Sequence, residues 1–101
     1  MDQIVLLKLT TGEEVIATIV ETAEDCHYVK NARRLTMQHT PQGSIVSMIP
    51  LLFGVSNPEG EFVLPQKTIL MDLTSRMNAD LRKAYYESTT GIKLVGNSLI
   101  K

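Results

Sequence analysis

The chain lacks tryptophan altogether and has a single cysteine, Cys26. One cysteine excludes an internal disulfide and any zinc site built on paired thiolates, and it fits a reducing, cytoplasmic setting. Three tyrosines and two phenylalanines make up the aromatic complement, so platforms for stacking nucleic-acid bases are few. Neither sign of charge dominates: 10 Lys and Arg stand against 11 Asp and Glu. Such a chain has no net field to gather nucleic acid or anionic lipid, and a phosphate-binding role needs a local patch or several copies side by side. No apolar run is long enough to cross a bilayer, so no membrane partner is expected. "MDQIVLLKLTTGEEV", with Asp2 and only a short apolar run, is not expected to act as a secretory signal. Phosphate-cradling, dinucleotide, nucleophile-elbow and zinc-protease motifs are all missing. There is no repeat, low-complexity tract or linker, and 101 residues imply one domain.

What is present is strand pattern. Ile4, Leu6 and Lys8 alternate with Val5, Leu7 and Leu9, which predicts a strand buried on much of both faces. Thr11-Gly12 ends it, because Gly12 can take the positive φ that a tight hairpin requires. Val15, Ala17 and Ile19 alternate with Ile16, Thr18 and Val20 in a second strand. "ETAEDC" is a polar turn, and "HYVKNARRLTMQ" predicts a third strand to about Gln38, closed by the turn signal "TPQG". "SIVSMIPLLFGV" is the most apolar segment, with Pro50 marking a bulge, bend or edge. "EFVLPQKTILMDL" holds two short strand-like runs with a kink at Pro65 to Lys67 between them, and the count is taken as five strands. After Leu73 the period changes. Met77, Leu81, Ala84 and Tyr85 fall at helical spacing, Ser75 or Asn78 can cap the start, Asp80 suits the positive end of the dipole and Gly91 suits the stop. A helix is expected over about 76–88, after a sheet over about 3–73. The remaining residues, 92–101, read equally as a short strand or a docking tail.

The chemistry of single residues is sparse. Glu13-Glu14 look like an acid/base pair, but neighbours on a strand point to opposite faces and cannot converge on one atom. His27 and His39 would lie ~40 Å apart on a straight strand, which excludes a shared metal there. Cys26-His27 diverge for the same reason. No enzyme activity, cofactor or metal is expected. The densest basic group is Lys30, Arg33 and Arg34. Regular alternation puts Lys30 and Arg34 on one face and Arg33 alone on the other, so one copy would neutralise about one to three phosphates, weakly and with strong salt sensitivity. Tyr28 and His27 are the stacking candidates near that group.

The apolar excess is the sharper signal. "SIVSMIPLLFGV" and "TILMDL" are greasy on both faces, more than one small core and one helix can cover. Unlike strand edges joined between copies would cover the remainder, and a heterologous contact of that kind closes into a ring when the rotation permits. The interface candidates are Ile45, Met48, Ile49, Ile69, Leu70 and Met71.

"VLLKLTTGEEVIATIVETAEDCHYVKNARRL" resembles the first motif of the Sm and Sm-like (LSm) proteins, with Gly12 at the turn and Asn31 near the end of the third strand. Within that family, "VLLKLTTGEEVI" and "KNARRLTMQHTPQG" are most similar to the small Sm-like proteins encoded by marine phages. About half the chain carries the resemblance. It implies a strongly bent, five-stranded antiparallel SH3-like barrel, a ring built by pairing the last two strands between subunits, and single-stranded RNA held at the pore. The family's RNA contacts are an Asn between strands two and three and an Arg-Gly after strand four. Here Cys26 or His27 stands at the first place, beside Asp25 at what would be an acidic position of the motif, and Leu64-Pro65 at the second. The family helix is N-terminal, whereas the one expected here is C-terminal. The resemblance therefore implies an RNA-binding or RNA-chaperone ring with His27 and Lys67 near the loops and Lys30, Arg33 and Arg34 as a backbone-contacting patch. The alternative is an assembly ring that has kept the sheet and lost the RNA pocket.

Overall fold

A computed structural model describes residues 2–91; the 92–101 tail lies outside the described residues. Six strands and one helix follow in order: β1 (Gln3–Leu9), β2 (Glu14–Thr22), β3 (Cys26–Thr40), β4 (Gly43–Pro50), β5 (Phe62–Pro65), β6 (Ile69–Asp72) and α1 (Ala79–Thr90). The chain is mainly β with a C-terminal helix, as expected, but the sheet has six strands and is not closed. Every pairing is antiparallel, the order is β4-β3-β2-β1-β6, and β5 pairs with the first part of β3. The sixth strand arises because the kink at Pro65 is a complete 3-10 turn, Gln66–Thr68, which separates β5 from β6 and sends them to different partners.

That turn forces the sheet to bend. Cys26 on β3 pairs with Pro65, and Leu9 on β1 pairs with Ile69. In a flat sheet β5 and β6 would be four strand spacings apart, about 19 Å. Three residues of 3-10 helix advance only about 6 Å. The outer edges of β1 and β3 must therefore curve towards each other, and the connection is fastened by Thr10 N–H donating to the Thr68 carbonyl at 2.8 Å and Gln66 N–H to the Asp25 carbonyl at 2.9 Å.

Bending separates an inner from an outer face. Val5, Leu7, Leu9, Val15, Ala17, Ile19, Val29, Ala32 and Leu64 form the inner core. The alternate residues Leu6 and Ile16 meet Tyr85 of α1 on the other face, flanked by Ile4, Leu35, Met48 and Leu81. The period-two pattern of β1 and β2 thus supplies both layers. Gly12 has φ 99°, and its N–H closes the turn onto the Leu9 carbonyl at 2.9 Å.

β3 changes partner midway. Residues 26–29 pair with β5 and residues 33–40 with β4. At the changeover Asn31 takes a left-handed φ of 53°, its N–H reaches the Glu59 carbonyl at 3.1 Å, and Leu51 N–H reaches the Ala32 carbonyl. Beyond Arg34, β3 pairs only with β4, so the two run out as a ribbon to a turn at Pro41-Gln42. The third strand extends to Thr40, two residues past the expected end at Gln38.

The helix begins at Ala79, not 76. Thr74–Arg76 is a separate 3-10 turn, and the cap is Asn78, whose Oδ1 accepts from Asp80 N–H at 2.8 Å and Leu81 N–H at 3.3 Å. The helix runs to Thr90, two residues beyond the expected end at 88, and is stopped by Gly91 at φ 75°, whose N–H bonds the Glu87 carbonyl. The hydroxyls of Ser88 and Thr89 bond the Tyr85 carbonyl inside the last turn.

Candidate nucleic-acid interface

Two loops that are far apart in sequence meet. His27 is the second residue of β3, just after the turn that precedes the strand, and the 3-10 turn after β5 presents Gln66 and Lys67. His27 Nδ1 is 3.0 Å from Thr22 Oγ1, and its Nε2 is 3.0 Å from Gln66 Nε2. The Gln66 amide N–H donates to Nε2, an arrangement that fits the tautomer carrying its proton on Nδ1, toward Thr22. The imidazole is held at both nitrogens while remaining partly exposed, and Lys67, the residue after Gln66 in the turn, is exposed. A fixed ring hydrogen-bonded to an amide, with a lysine one residue on, can offer one stacking face, hydrogen bonds to a base edge and one phosphate contact. Gln66 was not singled out by sequence; its signal is its place directly after Pro65, at the kink.

The basic group is divided differently from what regular alternation predicts. Ile16 pairs with Arg33 and Thr18 with Lys30, so β2 advances two residues where β3 advances three. This bulge, together with the left-handed Asn31, flips the parity. Lys30 and Arg33 therefore share the helix side, whereas Arg34, opposite Val15, belongs to the other. Arg33 is already engaged: Nε lies 3.3 Å from Glu59 Oε1, the guanidinium donates to Ser88 Oγ at 2.6 Å, and it sits 5.8 Å from the centroid of the Tyr85 ring. Its charge fastens α1 to β3. Lys30 pairs with Asp2 at 3.2 Å.

The other candidates distribute as follows. His39 is on the exposed ribbon, 3.0 Å from Ser44 Oγ. Cys26 is half-buried opposite Pro65. Among the described residues no cluster of three or more His, Cys, Asp or Glu could hold a metal ion, and none of their helices is long and apolar enough to cross a membrane, a statement that leaves strands aside. Of the interface candidates, Ile45, Leu70 and Met71 are exposed at 51%, 57% and 49%. Ile49 is half-buried. Met48 packs against the Leu6, Ile16 and Tyr85 cluster and Ile69 against the inner core, so these two serve their own chain.

Tyr85 has a displaced pKa. Burial raises its phenol above the ordinary 10.0, opposed by the hydrogen bond from Thr18 and the nearby Arg33 charge. Its hydroxyl donates to the Asn31 carbonyl at 2.9 Å; with that proton committed, Thr18 Oγ1 is the donor across the 2.8 Å contact.

Comparison with known proteins finds no matching family model, no matching curated protein and no matching solved structure. The functional reading rests on the residues and their arrangement.

Proposed function

We propose that the chain is an Sm-like protomer that assembles into a homo-oligomeric ring and binds single-stranded RNA through the loops at 23–27 and 64–67. The observation that carries this reading is the meeting of those loops, with Gln66 linked to His27 at 3.0 Å and to the Asp25 carbonyl at 2.9 Å. They are the two places where the Sm-like resemblance puts RNA contacts. The bent sheet supports the barrel part of the reading: the Gln66–Thr68 turn brings the far sides of β1 and β3 together without a closed hydrogen-bond ladder. Support for the ring comes from the two ends of the sheet, whose outer edges have no strand partner among the described residues: β4 with Ile45 and Val46 exposed and β6 with Leu70 and Met71 exposed. Such edges are suited to joining unlike strands of neighbouring copies. The ring would also repeat His27 and Lys67 around an axis, which compensates for the few phosphate contacts of one subunit. Uridine-type reading is not part of the proposal, because neither the Asn nor the Arg-Gly is present. No catalytic step is assigned.

Fluorescence anisotropy with labelled homopolymeric RNAs tests it. Affinity should fall as salt rises, with a log-log slope of about −0.7 per phosphate neutralised, and His27→Ala and Lys67→Ala should each weaken binding. Absence of binding to any homopolymer at low salt would overturn the RNA part. In that outcome the second reading, an assembly ring without an RNA pocket, gains; the exposed Met37, Ile45 and Val46 on the ribbon favour it as protein-facing surface.

A further inference from the structure

α1 presents two neighbouring faces. Leu81 and Tyr85, four residues apart, pack on the sheet. Arg82 and Tyr86 follow each of them by one residue, which turns them about 100° round the helix. Together with Lys83 they overhang a row of side chains fixed by strand pairing: Ile4 lies opposite Thr18, and Thr18 opposite Lys30. Between the row and the helix is a cleft of about 590 Å³, within the roughly 300–1,000 Å³ of small-molecule sites.

The charges lining this cleft do not balance. Lys30, Arg82 and Lys83 face it, against one carboxylate, Asp2, which is paired with Lys30 at 3.2 Å. Neither Arg82 nor Lys83 has an ion-pair partner among the described residues. Lys83 and Tyr86, three residues apart on the helix, are both half-buried. Arg82 and Lys83, with no ion-pair partner among the described residues, and the Tyr86 ring form a pattern with a definite complement. A phosphomonoester carries about −1.5 to −2 near neutral pH, the arginine fork and the lysine point charge are both suited to its oxygens, and a planar ring can lie against Tyr86. A carboxylate would leave one cation unmatched.

We propose that this cleft binds a nucleoside monophosphate, with the phosphate between Arg82 and Lys83 and the base against Tyr86. The site goes beyond the loop-borne RNA reading, because it lies under α1 and uses neither His27, Gln66 nor Lys67. A free nucleotide and the 5′-phosphate end of an RNA chain offer the same chemistry.

Isothermal titration of the full chain with adenosine 5′-monophosphate, inorganic phosphate and adenosine tests the assignment. The nucleotide should bind more tightly than either fragment. The double variant Arg82→Gln, Lys83→Gln should weaken nucleotide binding by about tenfold or more, with its melting temperature unchanged. Tyr86→Leu should weaken the nucleotide and leave inorganic phosphate unaffected. Comparing the nucleotide with 5′-phosphorylated and 5′-hydroxyl oligoadenylate identifies the source: preference for the phosphorylated oligomer assigns the cleft to RNA ends, preference for the nucleotide to the free metabolite class. His27→Ala should leave nucleotide binding intact, which keeps this outcome separate from that of the loops. No nucleotide binding at millimolar concentration, or equal binding by the folded double variant, overturns the proposal.

Discussion

Tyr85 ties the helix to the sheet with both halves of its side chain. The ring fills the space against Leu6 and Ile16, while the hydroxyl joins Thr18 on β2 to the Asn31 carbonyl on β3. Removing the oxygen leaves two largely buried groups without their partner, so Tyr85→Phe should cost about 1–3 kcal/mol in urea unfolding. The pH dependence follows from the raised pKa. The folded state holds the phenolic proton more tightly than the unfolded one, so this stabilisation is complete below the unfolded value near 10 and is lost as pH rises through the folded value. Wild type should lose stability more steeply than Tyr85→Phe above about pH 10; parallel curves for the two would contradict it. Arg33 illustrates what was not legible at this scale. Its type and neighbours suggested a phosphate contact, but its partners Glu59 and Ser88 are 26 and 55 residues away in sequence, and no local pattern reports them.

At the scale of elements, β3 determines the architecture. It is paired over 15 residues, yet it has to leave β5 and join β4, and Asn31 is the hinge of that exchange. Asparagine tolerates the left-handed region, glycine more so, and a β-branched side chain poorly. Asn31→Val should therefore lower stability by about 1–2 kcal/mol, and Asn31→Gly should be close to neutral, both read by thermal unfolding. Equal losses in the two variants would show that the Asn side chain, and not the backbone conformation, matters. The Asn was visible in the sequence as part of a motif, but the parity shift it accompanies was not. Alternation assumes one residue against one; the bulge puts three residues of β3 against two of β2 and moves Lys30 to the side of Arg33. The strand starts, the turn at Gly12 and the cap choice between Ser75 and Asn78 were nearer the surface of the sequence, since each depends on neighbours a few residues away.

For the whole molecule, the open ends of the sheet are the main consequence. Among the described residues β4 and β6 each have one unpaired side, and they carry Ile45, Val46, Leu70 and Met71 in exposed positions. If these edges join between copies, Ile45→Lys on one end and Leu70→Lys on the other should each lower the mass measured by light scattering, because each removes one half of a heterologous contact. A monomeric wild type would remove the ring from the proposed function while leaving the nucleotide cleft testable.

The sequence by itself determined the strand-rich class, the hairpin at Gly12, the existence of the C-terminal helix and the apolar surplus in β4 and β6. These depend on periodicity and on the backbone freedom of single residues, which are local. Tertiary structure alone decided that β5 and β6 part company, that His27 and Gln66 touch, that Arg33 is spent on α1, and that Arg82, Lys83 and Tyr86 overhang Lys30. Each of those facts joins segments tens of residues apart: the Gln66–Thr68 turn sets the first two and the docking of Tyr85 on the sheet sets the others, and neither is written in a local pattern.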